Sequence, residues 1–423
     1  MDTEKAPYSF YFVDCCGVKH RYTVRSRVTY VRRTVRARSR NYRRLEWGHV
    51  CGYAPICPDK ADVDTTVNGI RSRLLLHTPI PNGALLRDLG DFVTRVLDER
   101  CPSVLDPSAL AAWPAESNFP LARIKYLQSL LQKLVLPLSS RHPRTTISSF
   151  TKLESYGSFK PARGINSRHD EFKVLVGPFV HAIEKVVCST CFFTTHPEFI
   201  KYVAVRDRLK EIRRLESWGL FMGSDYSRFE GQFKAYIMEV CEMQLFRHFL
   251  FRYPLILSLI EEENMGRHTL HYRNGVQVTL DALRMSGDMW TSLANGFSNL
   301  MFNAFVFSRC GVDWDGYVEG DDGIFGVSKE PDAKMYVALG LVIKCVFTTN
   351  LSDLSFCGLR FSGTAILRDP RTFFQKFGWT SSYLEAGLRI MGELLRAKAL
   401  SACYETPDCP IVSALAFAAV QRT

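Results

Sequence analysis

Apolar residues recur at helical spacing over Leu85–Leu97 and Leu121–Leu134, and again over Tyr383–Cys403, where Leu384, Leu388, Met391 and Leu395 share one face. The pattern predicts amphipathic helices there and a mainly helical C-terminal end. Between Arg21 and Val31, Val24, Val28 and Tyr30 alternate with arginines, which predicts a strand or extended arm. Residues 54–83 carry Pro55, Pro58, Pro79, Pro81 and the turn pair Asn68-Gly69, so they read as loop-rich; Pro137–Arg144 reads as a linker. From Phe150 onward the elements shorten and alternate. A strand over Leu220–Ser224 ends at Asp225 and leads into a helical stretch, Phe233–Phe249. Leu270–Leu280, with Asn274-Gly275 near its middle, predicts a β-hairpin. Ser286-Gly287 opens an apolar helix to about Phe307, Tyr317–Val327 forms two short strands meeting at Asp321-Asp322, and Lys334–Leu341 is helical. Strands alternating with helices and hairpins predict an α/β or α+β core.

Composition adds limits. The 423 residues are 46% hydrophobic and 23% charged, ordinary for a globular chain, which excludes a mostly disordered one. The length predicts two to four subdomains at about 100–200 residues each. The longest apolar stretches, Leu339–Phe347 and Ile411–Val420, fall short of the ~20 residues a bilayer span needs. MDTEKAPYSF lacks a basic region followed by an apolar run, so a soluble, non-secreted chain is expected. The net charge of +11 is local: ten arginines and no acid lie between Arg21 and Arg44. Thirteen cysteines, an odd number, point to reduced thiols. Cys188 and Cys191 form a lone CxxC; His49, Cys51 and Cys57 form a loose cluster with Cys15, Cys16 and His20 as remote partners. Neither has zinc-ribbon spacing, and scattered thiols are the expectation.

Two acidic sites follow apolar, strand-like runs. GLFMGSDYSRFEGQF puts Asp225 at a strand end and Glu230 five residues on; YVEGDDGIFGV puts adjacent carboxylates at a hairpin turn between glycines. Adjacent acids in a tight turn repel unless a cation neutralises them, and all-oxygen ligands suit Mg²⁺ or Mn²⁺. Carboxylates from two strands could hold two such ions ~3.5–4 Å apart, the arrangement used in phosphoryl displacement. By itself Gly-Asp-Asp is as easily a solvated turn; its weight comes from the company it keeps, in a fixed order.

That company resembles the RNA-dependent RNA polymerases of positive-strand RNA viruses, especially tombus-like and noda-like ones, from about Phe150 to Pro410. Asp225-Tyr-Ser-Arg-Phe-Glu230 resembles motif A, RMSGDMWTSLANGFSNLM (Arg284–Met301) motif B, and EGDDGIF motif C. FTKLE (Phe150–Glu154), KPARGINSR (Lys160–Arg168) and IEK (Ile183–Lys185) resemble the motif F region, SFCGLRF (Ser355–Phe361) motif E, and LLRAKALSACYETPDCP the thumb of noda-like relatives.

The resemblance implies a right hand of fingers, palm and thumb, with the palm on a small antiparallel sheet flanked by helices. Its parts would be an Arg-rich arm (1–48), an N-terminal region and fingers (49–224), palm with motif A (225–249), a fingers insertion (250–284), palm with motifs B to E (285–362) and a helical thumb (363–423). Asp225 and Asp321 would be the principal ligands of two Mg²⁺ or Mn²⁺ ions, with Asp322 supporting the second. Ser286, Gly287, Thr291 and Asn295 would lie on the loop and helix that test the incoming ribose, where a 2′-hydroxyl needs donors and acceptors. Lys160, Arg163 and Arg168 would grip the triphosphate through charge-assisted hydrogen bonds. Lys344 would match the lysine that protonates pyrophosphate, and Cys357 and Gly358 would lie in the hairpin that positions the primer end. One position departs: Glu230, the motif A carboxylate that would contact Asn295 or the ribose, stands where the family usually carries a second Asp, which moves the carboxylate out by one methylene.

The implied reaction is template-directed nucleotidyl transfer in which an RNA 3′-hydroxyl attacks an α-phosphate and pyrophosphate leaves. Its partners would be template and product RNA, ribonucleoside triphosphates, and a separate membrane-anchoring or other replication protein, at membrane-associated complexes in host cytoplasm. Outside the resemblance, the guanidiniums of the arm, including Arg25, Arg32, Arg33 and Arg36, interleave with Tyr22, Tyr30 and Tyr42 and could neutralise phosphates and stack on bases. A solvent-facing strand or a patch for an acidic partner or membrane is the alternative there. For the whole chain the alternatives are a reverse transcriptase sharing the palm and a non-catalytic RNA-binding protein.

Overall fold

The structure, a computed structural model, describes residues 43–45, 56–117, 119–134, 146–381 and 383–423, together with the backbone of strands at 3–4, 8–13, 19–24 and 26–30. The linker expectation at Pro137–Arg144 and the RNA-contact expectations at Arg25, Arg32, Arg33 and Arg36 lie outside the described residues, as do Cys15, Cys16, His49 and Cys51.

The protein is mixed helix and sheet. Its centre is a four-stranded antiparallel sheet in the order Trp314–Glu319, Asp322–Val327, Phe221–Tyr226, Ile343–Thr348. Residues 323–327 are all buried, which is why that segment reads as a continuous apolar run rather than an alternating one. The helix Thr291–Cys310 lies in the same core, its Phe297, Phe302, Phe305 and Phe307 clustered with Val318 and Phe325. Every residue from Leu293 to Phe307 is buried, so this helix is enclosed on all sides. It starts at Thr291, later than the expected Ser286-Gly287, because residues 285–290 are folded as a separate loop.

A second sheet of six strands runs Thr3–Glu4, Ser26–Tyr30, Val276–Asp281, Arg267–Tyr272, Thr146–Thr151, Gly164–Ser167. Its middle is the hairpin expected at Asn274-Gly275, with Gly275 at φ +91°; Thr146–Thr151 runs parallel to Arg267–Tyr272 and the other pairings are antiparallel. The expected extended segment in the arm is two strands in different sheets: Lys19–Val24 pairs with Tyr8–Val13, and Ser26–Tyr30 lies in the six-stranded sheet. The C-terminal end is helical, Leu388–Glu405 against Pro410–Arg422, with Ala399, Ala402, Ala416 and Ala419 in the seam.

Two expectations need correction. Phe233–Phe249 is not one regular helix: Ala235–Ile237 passes through a π turn, Met238–Glu242, into Met243–Leu250. The loop-rich stretch 54–83 has no turn at Asn68-Gly69, since Val63–Arg73 is a helix capped by Asp62, whose side chain accepts from the Thr65 amide. Asn68-Gly69 is mid-helix there. A Cβ on Gly69 would sit 2.4 Å from the Ala162 carbonyl oxygen, so the glycine serves close packing rather than a turn. Helix propensity alone would make Gly69→Ala stabilising by about 1 kcal/mol. The contact reverses the sign: we expect a loss of about 1–3 kcal/mol, read as a lower melting temperature.

Candidate active site

The two acidic segments meet on adjacent strands. Glu319 pairs with Asp322 across a two-residue turn, Gly320-Asp321, with Gly320 at φ +60°, as a tight hairpin with glycine at its first loop position requires. On the other side, Gly323 pairs with Ser224, so one step further the chain brings Asp322 beside Asp225. Lys344 lies opposite Asp225 on the next strand and is exposed. Asp225 is within its strand, which runs on to Tyr226.

These carboxylates destabilise one another. Burial, then the charges of Glu230 and Asp225, push Asp321 above the usual carboxylate range against the opposing pull of Arg163. Asp322 is pushed up to about 7 by burial and then by Asp321, Asp225 and Glu319. Among the described residues no group of three His, Cys, Asp or Glu side chains is placed to hold a metal ion by itself. The donor chemistry still fits Mg²⁺, which is held by one or two carboxylates and completed by water and substrate phosphates rather than by an all-protein cage.

Arg163, Glu230 and Ser286, far apart in sequence, form one cluster. Arg163 Nη2 donates to Glu230 Oε1 (2.8 Å) and Ser286 Oγ (3.1 Å), and its Nε donates to Ser286 Oγ (3.3 Å). Burial pulls the guanidinium down, but Glu230, Glu154 and Asp321 outweigh it, so its pKa is raised. Gly287 has φ +118°, and a Cβ there would lie 2.5 Å from the Asn166 carbonyl oxygen. Thr291 Oγ1 donates to the carbonyls of Met285 and Asp288 and so closes the loop before its helix. Lys160 is exposed.

Arg168 stands elsewhere. The resemblance assigns it to phosphate, yet its side chain is 4% exposed, with Nε on Asp288 at 2.5 Å, Nη1 on Glu263 and Nη2 on the Glu263 carbonyl. With those donors engaged it ties the strand Gly164–Ser167 to the 285–290 loop and the helix Pro254–Met265 as a structural ion pair. His268, fully buried beside it, is pushed down to about 3 by burial and then by the Arg168 charge. The folded chain thus keeps this ring neutral while the unfolded chain protonates it below its ordinary value near 6.5. Stability is full above that value and declines by about 1.4 kcal/mol per pH unit between 6.5 and 3. Melting temperatures from pH 7 to 4.5 should fall more steeply for the wild type than for His268→Gln; parallel curves would contradict this.

Several residues that hold the expected site residues in place escaped the sequence reading. Asn295 Oδ1 accepts from Arg284 Nη1, and Arg284, itself 0% exposed, also pairs with Glu242 from the π turn and covers the Phe233 ring at 3.4 Å. Asn299 Nδ2 donates to the Gly320 (3.1 Å) and Asp322 (3.0 Å) carbonyls and so pins the acidic turn to the helix. Asn303 donates to the Asn299 carbonyl and accepts from Tyr336. The spacing of Asn295, Asn299 and Asn303, one per turn in an apolar helix, was the available signal, since buried amides need partners. Glu319 accepts from Arg208 (2.5 Å) and from the Cys357 thiol (3.3 Å). Cys357 (φ +53°) and Gly358 (φ +74°) form a tight turn and line a cleft of 1020 Å³ with Arg360, Lys376 and Lys398. Cys188 is buried in the main core and Cys191 is exposed, both free.

The chain is similar to the RNA-directed RNA polymerase of Greasy grouper nervous necrosis virus. They are 24% identical over 212 residues, covering 47% of this chain and 21% of the relative. The similarity is to a polymerase. This chain spans about a fifth of that relative's length in the match, and no family model matches it. The distant similarity supports an RNA-directed RNA polymerase in general. Among the described residues no helix is long and apolar enough to cross a membrane.

Proposed function

We propose that the chain is the RNA-dependent RNA polymerase of a positive-strand RNA virus, tombus-like or noda-like, built as a right hand. The observation that carries this reading is the register that sets Asp225 beside Asp322, with Asp321 in the turn between strands. The four-stranded sheet with Thr291–Cys310 would be the palm, the part of 49–224 before the strand Phe221–Tyr226 together with 250–284 the fingers, and 363–423 the thumb. Divalent ions held by Asp225, Asp321 and Asp322 would neutralise the triphosphate and lower the pKa of the attacking hydroxyl. Around that centre, Lys160 offers positive charge to phosphate, and Ser286 and Asn295 present polar groups for the sugar. Asn299 keeps Asp321 and Asp322 fixed relative to the helix that carries Asn295. Lys344, in register with Asp225, is the group available to give a proton to departing pyrophosphate. The Cys357-Gly358 turn and the cations of its cleft would meet the primer strand, and the arm would hold RNA by phosphate neutralisation. A separate membrane-anchoring or other replication protein would bring it to membranes in host cytoplasm.

A reverse transcriptase shares the carboxylates but excludes ribonucleotides. Incorporation of ribo- and deoxyribonucleotides on one primed RNA template tests the reading: preference for ribonucleotides is expected, and preference for deoxyribonucleotides would overturn it. RNA binding that is unchanged without Mg²⁺, with no synthesis, would favour a non-catalytic RNA-binding protein.

A further inference from the structure

We propose that Arg163 is a positioning residue for ribose recognition, not a triphosphate grip, and that Glu230 replaces the usual Asp because only the longer side chain reaches it. The inference rests on the polymerase reading. Arg163 directs Nη2 to Glu230 Oε1 at 2.8 Å and shares Nη2 and Nε with Ser286 Oγ at 3.1 and 3.3 Å. Both partners are groups that the reading places at the sugar. The three side chains come from segments separated by 67 and 123 positions from Arg163, so the cluster is a product of the fold.

Each member is fixed from behind. The Arg163 carbonyl accepts from the Lys152 amide (2.8 Å), and the Ser286 carbonyl accepts from the Asn166 amide (2.8 Å). Glu230 sits in the turn Phe229–Gln232, where a Cβ on Gly231 would lie 2.0 Å from the Arg73 carbonyl oxygen, so this turn cannot easily move. Shortening Glu230 by one methylene withdraws its oxygens by roughly 1.5 Å. A 2.8 Å hydrogen bond stretched that far is no longer one.

Held this way, the pair suits a hydroxyl that both donates and accepts. Ser286 Oγ accepts from Arg163, which leaves its own hydrogen to donate, and the second oxygen of Glu230 can accept. A 2′-hydroxyl would satisfy both, whereas a deoxyribose leaves both unpaired in a partly buried site, the kind of mismatch that gives strong discrimination.

The test is single-nucleotide addition with ATP and 2′-deoxyATP by the full chain, comparing the wild type with Arg163→Lys, Glu230→Asp and their double variant. Lys keeps the charge that a phosphate needs but not the planar fork. Each single variant should lower the ATP preference in kcat/KM at least about tenfold, by losing more with ATP than with 2′-deoxyATP. The double variant should lose little beyond either single one, because both break one contact. If Arg163→Lys and Glu230→Asp leave the ATP preference unchanged, with both nucleotides weakened equally or not at all, the proposal is overturned. Should the wild type incorporate neither nucleotide, the polymerase reading fails. Calorimetric binding of ATP and 2′-deoxyATP to the same proteins then decides the cluster by the same ratio, a preference lost in both variants supporting it and equal ratios in all proteins overturning it.

Discussion

Asp225→Asn is expected to cut nucleotide incorporation by about a thousandfold while leaving the chain at least as stable as the wild type. The loss follows if Asp225 is one of the carboxylates that hold divalent ions, since such ions supply several kcal/mol of transition-state stabilisation and each ~1.4 kcal/mol is tenfold in rate. The unchanged or higher stability follows from repulsion: the Asp225 charge pushes up both Asp321 and Asp322, so its removal relieves two neighbours in the metal-free fold. Adding Mg²⁺ should raise the melting temperature of the wild type more than that of the variant, because a ligand that binds only the folded state stabilises it. A variant that melts well below the wild type and keeps its full Mg²⁺ response would mean that Asp225 serves the fold and not an ion.

The second large effect lies behind Asn295. Arg284 and Glu242 are both 0% exposed and paired, so Glu242→Leu leaves a buried guanidinium without its counter-charge and should cost about 3–5 kcal/mol. Adding Arg284→Met to that variant removes the stranded charge and should recover most of the melting temperature, as replacement of a whole buried pair by apolar groups often does. Incorporation should not recover with it, because Asn295 Oδ1 loses the donor that orients it. Thermal melts and incorporation on the same three proteins check both halves. Recovery of incorporation in the double variant would show that the pair acts only through stability.

What the sequence revealed was governed by local spacing. The hairpins at Asn274-Gly275 and beside Asp321-Asp322 are encoded within about ten residues, by turn pairs between apolar strands; both are present, the second with its turn one position earlier, at Gly320-Asp321. The helix Val63–Arg73 was missed because Asn68-Gly69 carries a turn signature, while the reason for the glycine is the Ala162 carbonyl nearly a hundred positions away. Arg168 looks like its neighbours Lys160 and Arg163 in a basic run, and only the fold brings Glu263 and Asp288 to it. The ends of the site were thus readable from motif order, and its cross-links were not. Arg163–Glu230, Arg284–Glu242 and Asn299–Gly320 each join segments that no local pattern connects. The departure at Glu230 was visible in the chain; its partner was not.

The central claim, RNA synthesis directed by a template at these carboxylates, is tested most directly by incorporation of labelled UTP on poly(A). The reaction is run with Mg²⁺ or Mn²⁺, with and without an oligo(U) primer, beside Asp321→Ala. The account predicts template-dependent product from the wild type and none from Asp321→Ala. Equal product from both proteins, or none from a folded wild type that binds the template, would contradict it.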